Sequence, residues 1–238
     1  MKFMLVGLLN LQFIFAINLT PMVHEIGSLK KRNITYRISN PEKSLAAVEC
    51  KILEVVGHDK LGQEIRKETT DMVLYPSQFI LKAETSRNLR LNYIKKFLPK
   101  KQKVYRVIAN QLALNLTNKS KSKDVQAGVK FLYSYEGLLF VGGDNSDITL
   151  QAQIKAETAD GFILDLSNKS LVSAFVHVNH FDFYAQTNKG EIKLGKKDFG
   201  KMKGIRLLAD ETFIWSFHKD AALKGLQLKG MRIVHKKK

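Results

Sequence analysis

The sequence predicts an all-β fold in two domains, on three features: runs in which polar and apolar residues alternate, turn signals between the runs, and a short echo between the two halves. Alternation with a period of two puts one face of a strand in a core, and runs about 8–12 residues apart fit a sandwich or barrel better than strands joined by helical crossovers. The clearest set lies between Leu74 and Leu112. Phe79 and Leu81 alternate with Ile80 and Lys82, and Leu89, Leu91 and Tyr93 share a face opposite Arg90 and Asn92. Beyond a basic turn with Pro99, Tyr105 and Val107 alternate with Arg106. These runs are expected to be three strands of one antiparallel sheet. With 238 residues, 45% of them hydrophobic, the chain can fill two cores of ~100 residues each.

Residues 1–16, MKFMLVGLLNLQFIFA, set a lysine before an apolar run ending at Ala16, the pattern of a secretory signal cleaved there. Interrupted by Asn10 and Gln12, the run falls short of the ~20 apolar residues that span a bilayer. No later stretch is long and apolar enough to cross one, so the mature chain is expected to be soluble outside the cytoplasm, without membrane insertion. Ile17 to Ile26 is extended and carries Pro21, which an edge strand tolerates. Ile34, Tyr36 and Ile38 form a strand that Asn40-Pro41 stops, and Val48, Cys50 and Ile52 are expected to supply its partner. A lone cysteine, Cys50, excludes an intrachain disulfide and belongs in the core. His58 to Thr70 is polar and reads as a loop or hairpin tip.

After a basic loop, Val129, Phe131, Tyr133 and Tyr135 fall on one side of the last strand of the first domain. Gly142-Gly143-Asp144-Asn145-Ser146 has the composition of a linker, giving domains at 17–141 and 142–238. Alternation resumes at Ile148–Ile154, Phe162–Leu166, Val172–Phe183, Ile192–Leu194, Ile205–Leu207, Phe213–Phe217 and Leu226–Leu228. The echo is Arg37-Ile38-Ser39-Asn40-Pro41-Glu42-Lys43-Ser44 against Asp165-Leu166-Ser167-Asn168-Lys169-Ser170, as two sandwiches of one plan would leave.

A net charge of +17 admits nucleic acid, anionic lipid, acidic protein or a terminal carboxylate as partner. No metalloprotease helix, nucleophile elbow or phosphate-cradling glycine loop occurs, so no enzyme and no cofactor is expected. His177, His180 and Asp182 have metal-ligand chemistry, but positions three apart on one strand point to opposite faces, so no metal site is expected there. The lysines are scattered over both halves with no zinc finger, helix-turn-helix or paired aromatic platform, which argues against nucleic acid. A secreted basic sandwich that binds nucleic acid, carbohydrate or another cell surface is the alternative reading.

The order of the Ile38-Ser39-Asn40-Pro41 strand end, Tyr75-Pro76-Ser77-Gln78-Phe79-Ile80-Leu81, Asn88-Leu89-Arg90-Leu91 and Val104-Tyr105-Arg106-Val107 resembles the first domain of the PapD-like pilus-assembly chaperones of the chaperone–usher pathway. Tyr133-Ser134-Tyr135-Glu136-Gly137-Leu138-Leu139-Phe140-Val141 is similar to the archaic and alternative branches of that family. The resemblance covers most of residues 17–141; beyond them it is one of size, strand pattern and charge. It implies two immunoglobulin-like sandwiches set at an angle, no catalysis, and a periplasmic location. It also implies pilin subunits and an outer-membrane usher as partners. Such chaperones lend a strand to an incomplete pilin, and here the implied donors are Val125, Ala127, Val129 and Phe131, with Leu112, Leu114 and Leu116 as a competing run. The resemblance also implies a cationic anchor for the pilin's terminal carboxylate. Lys130 matches its lysine; its arginine position falls near His24, so Arg90 and Arg106 are the candidates for the missing charge.

Overall fold

Most of the alternating runs become strands of two sandwich-like units, each closed around its own core. The computed structural model describes residues 17–113, 132–143, 147–158, 161–195, 204–218, 223 and 225–236. The signal segment and Val125, Ala127, Val129, Lys130 and Phe131 lie outside the described residues, as do Leu114 and Leu116.

The first unit pairs a four-stranded sheet, β1 (Asn18–Thr20), β3 (Asn33–Asn40), β8 (Thr85–Tyr93) and β6 (Met72–Tyr75), with a second sheet. That second sheet runs β2 (Val23–Ile26), β10 (Ser134–Val141), β9 (Lys103–Leu112), β4 (Ala46–His58) and β5 (Glu64–Glu68), and β7 (Gln78–Leu81) also pairs β4. The first extended segment serves both sheets. β1 runs antiparallel to β3, whereas β2, beyond Pro21, runs parallel to β10. Ile34, Tyr36 and Ile38 meet Leu89, Leu91, Tyr105, Val107 and Cys50 in the core, as their alternation requires. The Cys50 thiol is pushed up to about 12 by burial and by the neighbouring Glu49 charge, as befits a small core hydrophobe.

Two expectations about pairing fail here. The runs between Leu74 and Leu112 do not share one sheet: β8 lies in the first, while β7 and β9 lie in the second and both pair β4. Likewise the Val48–Ile52 strand is not the partner of β3, which pairs β1 and β8. The period of two is the same whichever sheet a strand joins, so alternation reports that a strand exists and which side faces the core, not its neighbour. The polar stretch after His58 is a hairpin, β4 to β5, turning at Asp59–Gln63.

The second unit has a six-stranded sheet, β15 (Gly190–Leu194), β14 (Phe181–Thr187), β18 (Leu228–His235), β11 (Leu150–Thr158), β12 (Gly161–Asn168) and β17 (Thr212–His218). A two-stranded ribbon, β13 (Ala174–Val176) and β16 (Ile205–Leu207), adds Ala174, Val176 and Leu207 to its core. The run from Val172 to Phe183 is therefore two strands, broken by a turn in which the His180 amide donates to the His177 carbonyl.

The echo marks matching corners of the two units. Asn40 and Asn168 end β3 and β12 and are 1% and 0% exposed. Each takes the amide of the residue two ahead, Glu42 or Ser170, on its Oδ1. Each donates Nδ2 to the carbonyl four ahead, Ser44 or Val172, and to a carbonyl far along the chain, Lys82 or Leu208. One buried amide thus ties a strand end, a turn and a distant loop in each sandwich.

Candidate functional site

Strand β9 sends Tyr105, Val107 and Ala109 into the first core, which leaves Arg106 on the outer face of its sheet. On that face the β4–β5 hairpin and β10 bring acids and cations together. Arg106 donates from Nε to Glu64 Oε2 at 2.9 Å, Arg66 donates from Nε to the same oxygen at 2.9 Å, and Arg66 grips Glu136 with two bonds of 2.8 Å. Burial alone would push the Glu64 carboxyl up, but Arg106 and then Arg66 outweigh it and hold the carboxyl below its ordinary value.

The second unit meets the first at several polar contacts. The Gln102 side-chain oxygen accepts from the Ser173 amide at 3.0 Å and its hydroxyl at 2.8 Å, and the Gln102 amide donates to the Leu171 carbonyl at 2.7 Å. Lys101 pairs with Asp210. His58, whose side chain is 3% exposed, meets Glu211 at 2.8 Å, and the other Glu211 oxygen accepts the Leu208 amide at 2.7 Å. At the hairpin tip, which faces Phe213 and Ile205 of the second unit, Gly62 adopts a φ of +77°, a conformation that favours glycine.

Arg206 on β16 reaches this same region. Its guanidinium lies 4.9 Å from the centroid of Phe140 on β10 and 5.5 Å from that of Phe175 on β13, so it bridges an aromatic ring from each unit. No ion pair joins it to a carboxylate among the described residues, while Arg66 and Arg106 are both engaged. The network therefore holds three guanidinium groups, Arg66, Arg106 and Arg206, against two carboxylates, Glu64 and Glu136.

No family model and no curated protein matches this chain. Solved structures do match. The chaperone–tip subunit complex CsuC–CsuE of the archaic Csu pili of Acinetobacter baumannii aligns at 16% identity with a TM-score of 0.61, covering 93% of this chain and 98% of that one. The class 5 fimbriae chaperone CfaA aligns at 16% identity and a TM-score of 0.57, covering 94% and 100%. A chaperone–tip adhesin complex of CFA/I fimbriae biogenesis aligns at 16% identity and 0.56, covering 93% and 99%. The fold is that of the chaperone–usher pilus chaperones.

Within this chaperone fold the residues singled out from sequence separate. Arg90 lies exposed on β8, on the outer face of the sheet opposite the one that carries Arg106, so the structure does not bring those two together. Arg106 is in the interdomain network but already holds Glu64. Arg206, not singled out from the sequence, lies between Ile205 and Leu207 in one of the alternating runs. The signal was there: an arginine inside an apolar alternation needs a partner for its charge. Burial, then the Arg106 charge, lowers its pKa from the ordinary guanidinium range, with Glu64 opposing. His177 and His180 flank a turn that sets their rings 6.4 Å apart, while Asp182 turns to Lys193 and Lys236. Among the described residues no three His, Cys, Asp or Glu side chains group as metal ligands.

Acid should loosen this face. A carboxylate held below its unfolded value stabilises the fold above that value, and the contribution fades as pH falls through the folded pKa. Glu64 starts from an ordinary value of 4.5 and is lowered, so its share should be intact above about 4.5 and lost below. Thermal melts from pH 6 to 3 should show the drop, and Glu64→Gln should make it shallower, the remainder coming from other lowered carboxylates such as Asp71; an unchanged profile in the variant would place the acid sensitivity elsewhere.

Proposed function

We propose that this chain is a periplasmic chaperone that holds pilin subunits by donating a strand and passes them to an outer-membrane usher. Residues 17–141 would form the subunit-binding domain and 142–238 the second sandwich, with residues 1–16 as the export signal. The observation that carries the reading is the two-unit chaperone fold over nearly the whole length, with a cation-rich face between the units.

The physics is that of strand addition. A pilin lacking its last strand exposes a hydrophobic groove and open sheet edges, both prone to aggregation. A strand supplied from outside pairs the backbone and fills the groove with alternate side chains. Val125, Ala127, Val129 and Phe131 precede β10 in the chain and alternate as such a strand requires. Lys130 would meet the subunit's terminal carboxylate. Arg206 would supply the guanidinium that the first strand lacks, where His24 stands. Arg106, oriented by Glu64, adds to the positive potential of that face, and Arg90 is available for contact on the opposite sheet.

Co-expression with a pilin encoded beside this gene tests the reading. The pilin should accumulate and co-purify only when this chain is present, and equal accumulation without it, with no co-purification, sinks the proposal. Lys130→Ala should weaken capture while leaving the melting temperature unchanged; full capture by that variant would remove Lys130 from the site.

A further inference from the structure

At one end of the first sandwich two strips of chain lie side by side. Ser28–Asn33 holds a single 3₁₀ turn, Leu29–Lys31, and residues 94–102 connect β8 to Lys103, the first residue of β9. The Tyr93 amide donates to the Arg32 carbonyl at 3.0 Å, and Leu29 and Leu98 both pack against the core, so the strips share a fixed base. Neither strip contains an acidic residue, and together they carry Lys30, Lys31, Arg32, Lys95, Lys96, Lys100, Lys101 and Lys103. Lys95 and Lys103 are paired with Asp71, and Lys101 with Asp210. Lys30, Lys31, Arg32, Lys96 and Lys100 are exposed and have no ion pair among the described residues. The nearby Asp71 also accepts from the Tyr105 hydroxyl at 2.7 Å, so its charge is spent within the protein.

Among these cations stand two outward apolar side chains, Ile94, 48% exposed, and Phe97, 80% exposed. Their exposure is built in. The Tyr93 hydroxyl donates to the Phe97 carbonyl at 2.9 Å, and Leu98 is drawn into the core, which fixes the loop with Phe97 directed away from it. An aromatic and an aliphatic side chain carried on strips whose cations have no ion pair among the described residues match a surface that is apolar a few ångströms down and anionic on top. A nucleic acid would use the ring for stacking but offers nothing to Ile94.

We infer that this end of the first sandwich docks on an anionic lipid bilayer, with Phe97 and Ile94 in the headgroup region and Lys30, Lys31, Arg32, Lys96 and Lys100 on lipid phosphates. The contact is peripheral and goes beyond the chaperone reading, on which it does not depend.

Co-sedimentation of the full chain with vesicles tests it, residues 1–16 being common to every arm. Binding to phosphatidylglycerol-containing vesicles should exceed binding to pure phosphatidylcholine and should fall with salt. Each cation near a membrane surface contributes about five-fold, so the triple variant Lys30→Gln, Lys31→Gln, Lys96→Gln should lose on the order of 100-fold, and the charge-reversed Lys30→Glu, Lys31→Glu, Lys96→Glu more than that. Phe97→Ser should weaken binding with no change of charge. A control with exposed cations reversed elsewhere, Lys43→Glu, Lys189→Glu and Lys229→Glu, should bind nearly as the parent does. Equal binding to both vesicle types, an equal loss in the control, or no effect of Phe97→Ser overturns the proposal. So does a single-stranded oligonucleotide that binds more tightly than the vesicles and needs the same residues.

Discussion

Arg206→Ala should lower capture of a partner pilin on the order of 100-fold while the chain stays folded. The guanidinium sits between Phe140 and Phe175 with no carboxylate partner among the described residues, so little fixed structure depends on its charge. Removing one partner of a desolvated, hydrogen-bonded charge pair typically costs about 2–5 kcal/mol of binding, and a carboxylate arriving at this face would form such a pair. Arg206→Lys separates charge from shape. Lysine keeps the cation but loses the planar fork that grips a carboxylate with two bonds, so partial rescue is expected. Arg106→Ala should behave differently. It leaves Glu64 with Arg66 alone in a half-buried network, so it should lower thermal stability as well as capture. Binding measured by titration of purified chain against a subunit, alongside melting temperatures, distinguishes the two. Capture by Arg206→Ala equal to that of the parent would mean that Arg206 only bridges the two units.

The contrast between those arginines shows what can be read from a linear sequence. Strands were legible wherever alternation was strict: Ile34, Tyr36 and Ile38, Leu89, Leu91 and Tyr93, and Tyr105 and Val107 all face the core. The allocation of strands to sheets was not, because β7 and β9 reach β4 from later in the chain and a period of two carries no record of that return. Arg106 stood out as a cation on a polar face, but its partner Glu64 is 42 residues earlier, beyond any local pattern. Arg206 was hidden by its own neighbours, since Ile205 and Leu207 make an apolar run in a ribbon of three-residue strands. The histidines failed in the opposite sense. His177 and His180 were placed on one strand and thereby apart, whereas the turn between β13 and β14 brings their rings together.

The echo was legible as residues but not as chemistry, and it supports the largest stability effect. Asn168→Ala should destabilise the protein by about 3 kcal/mol, because several buried polar groups lose a partner at once and each costs on the order of 1–3 kcal/mol when left unpaired. The carbonyls of Val172 and Leu208 lose a donor at 2.8 and 2.9 Å, and the Ser170 amide loses an acceptor at 3.1 Å. Water cannot readily replace the side chain at a site that is 0% exposed. Asn168→Asp should be worse. It preserves the acceptor for Ser170 but turns a carboxylate toward the carbonyl oxygens of Val172, Leu207 and Leu208, so like partial charges face each other without a proton between them. Asn40→Ala should cost a similar amount in the first unit, where Ser44 and Lys82 lose the same donor. Denaturant titrations of the three variants measure these costs. A loss under about 1 kcal/mol for Asn168→Ala would mean that the corner relaxes to re-pair its carbonyls, and that the shared asparagine is a relic of a common plan more than a clamp.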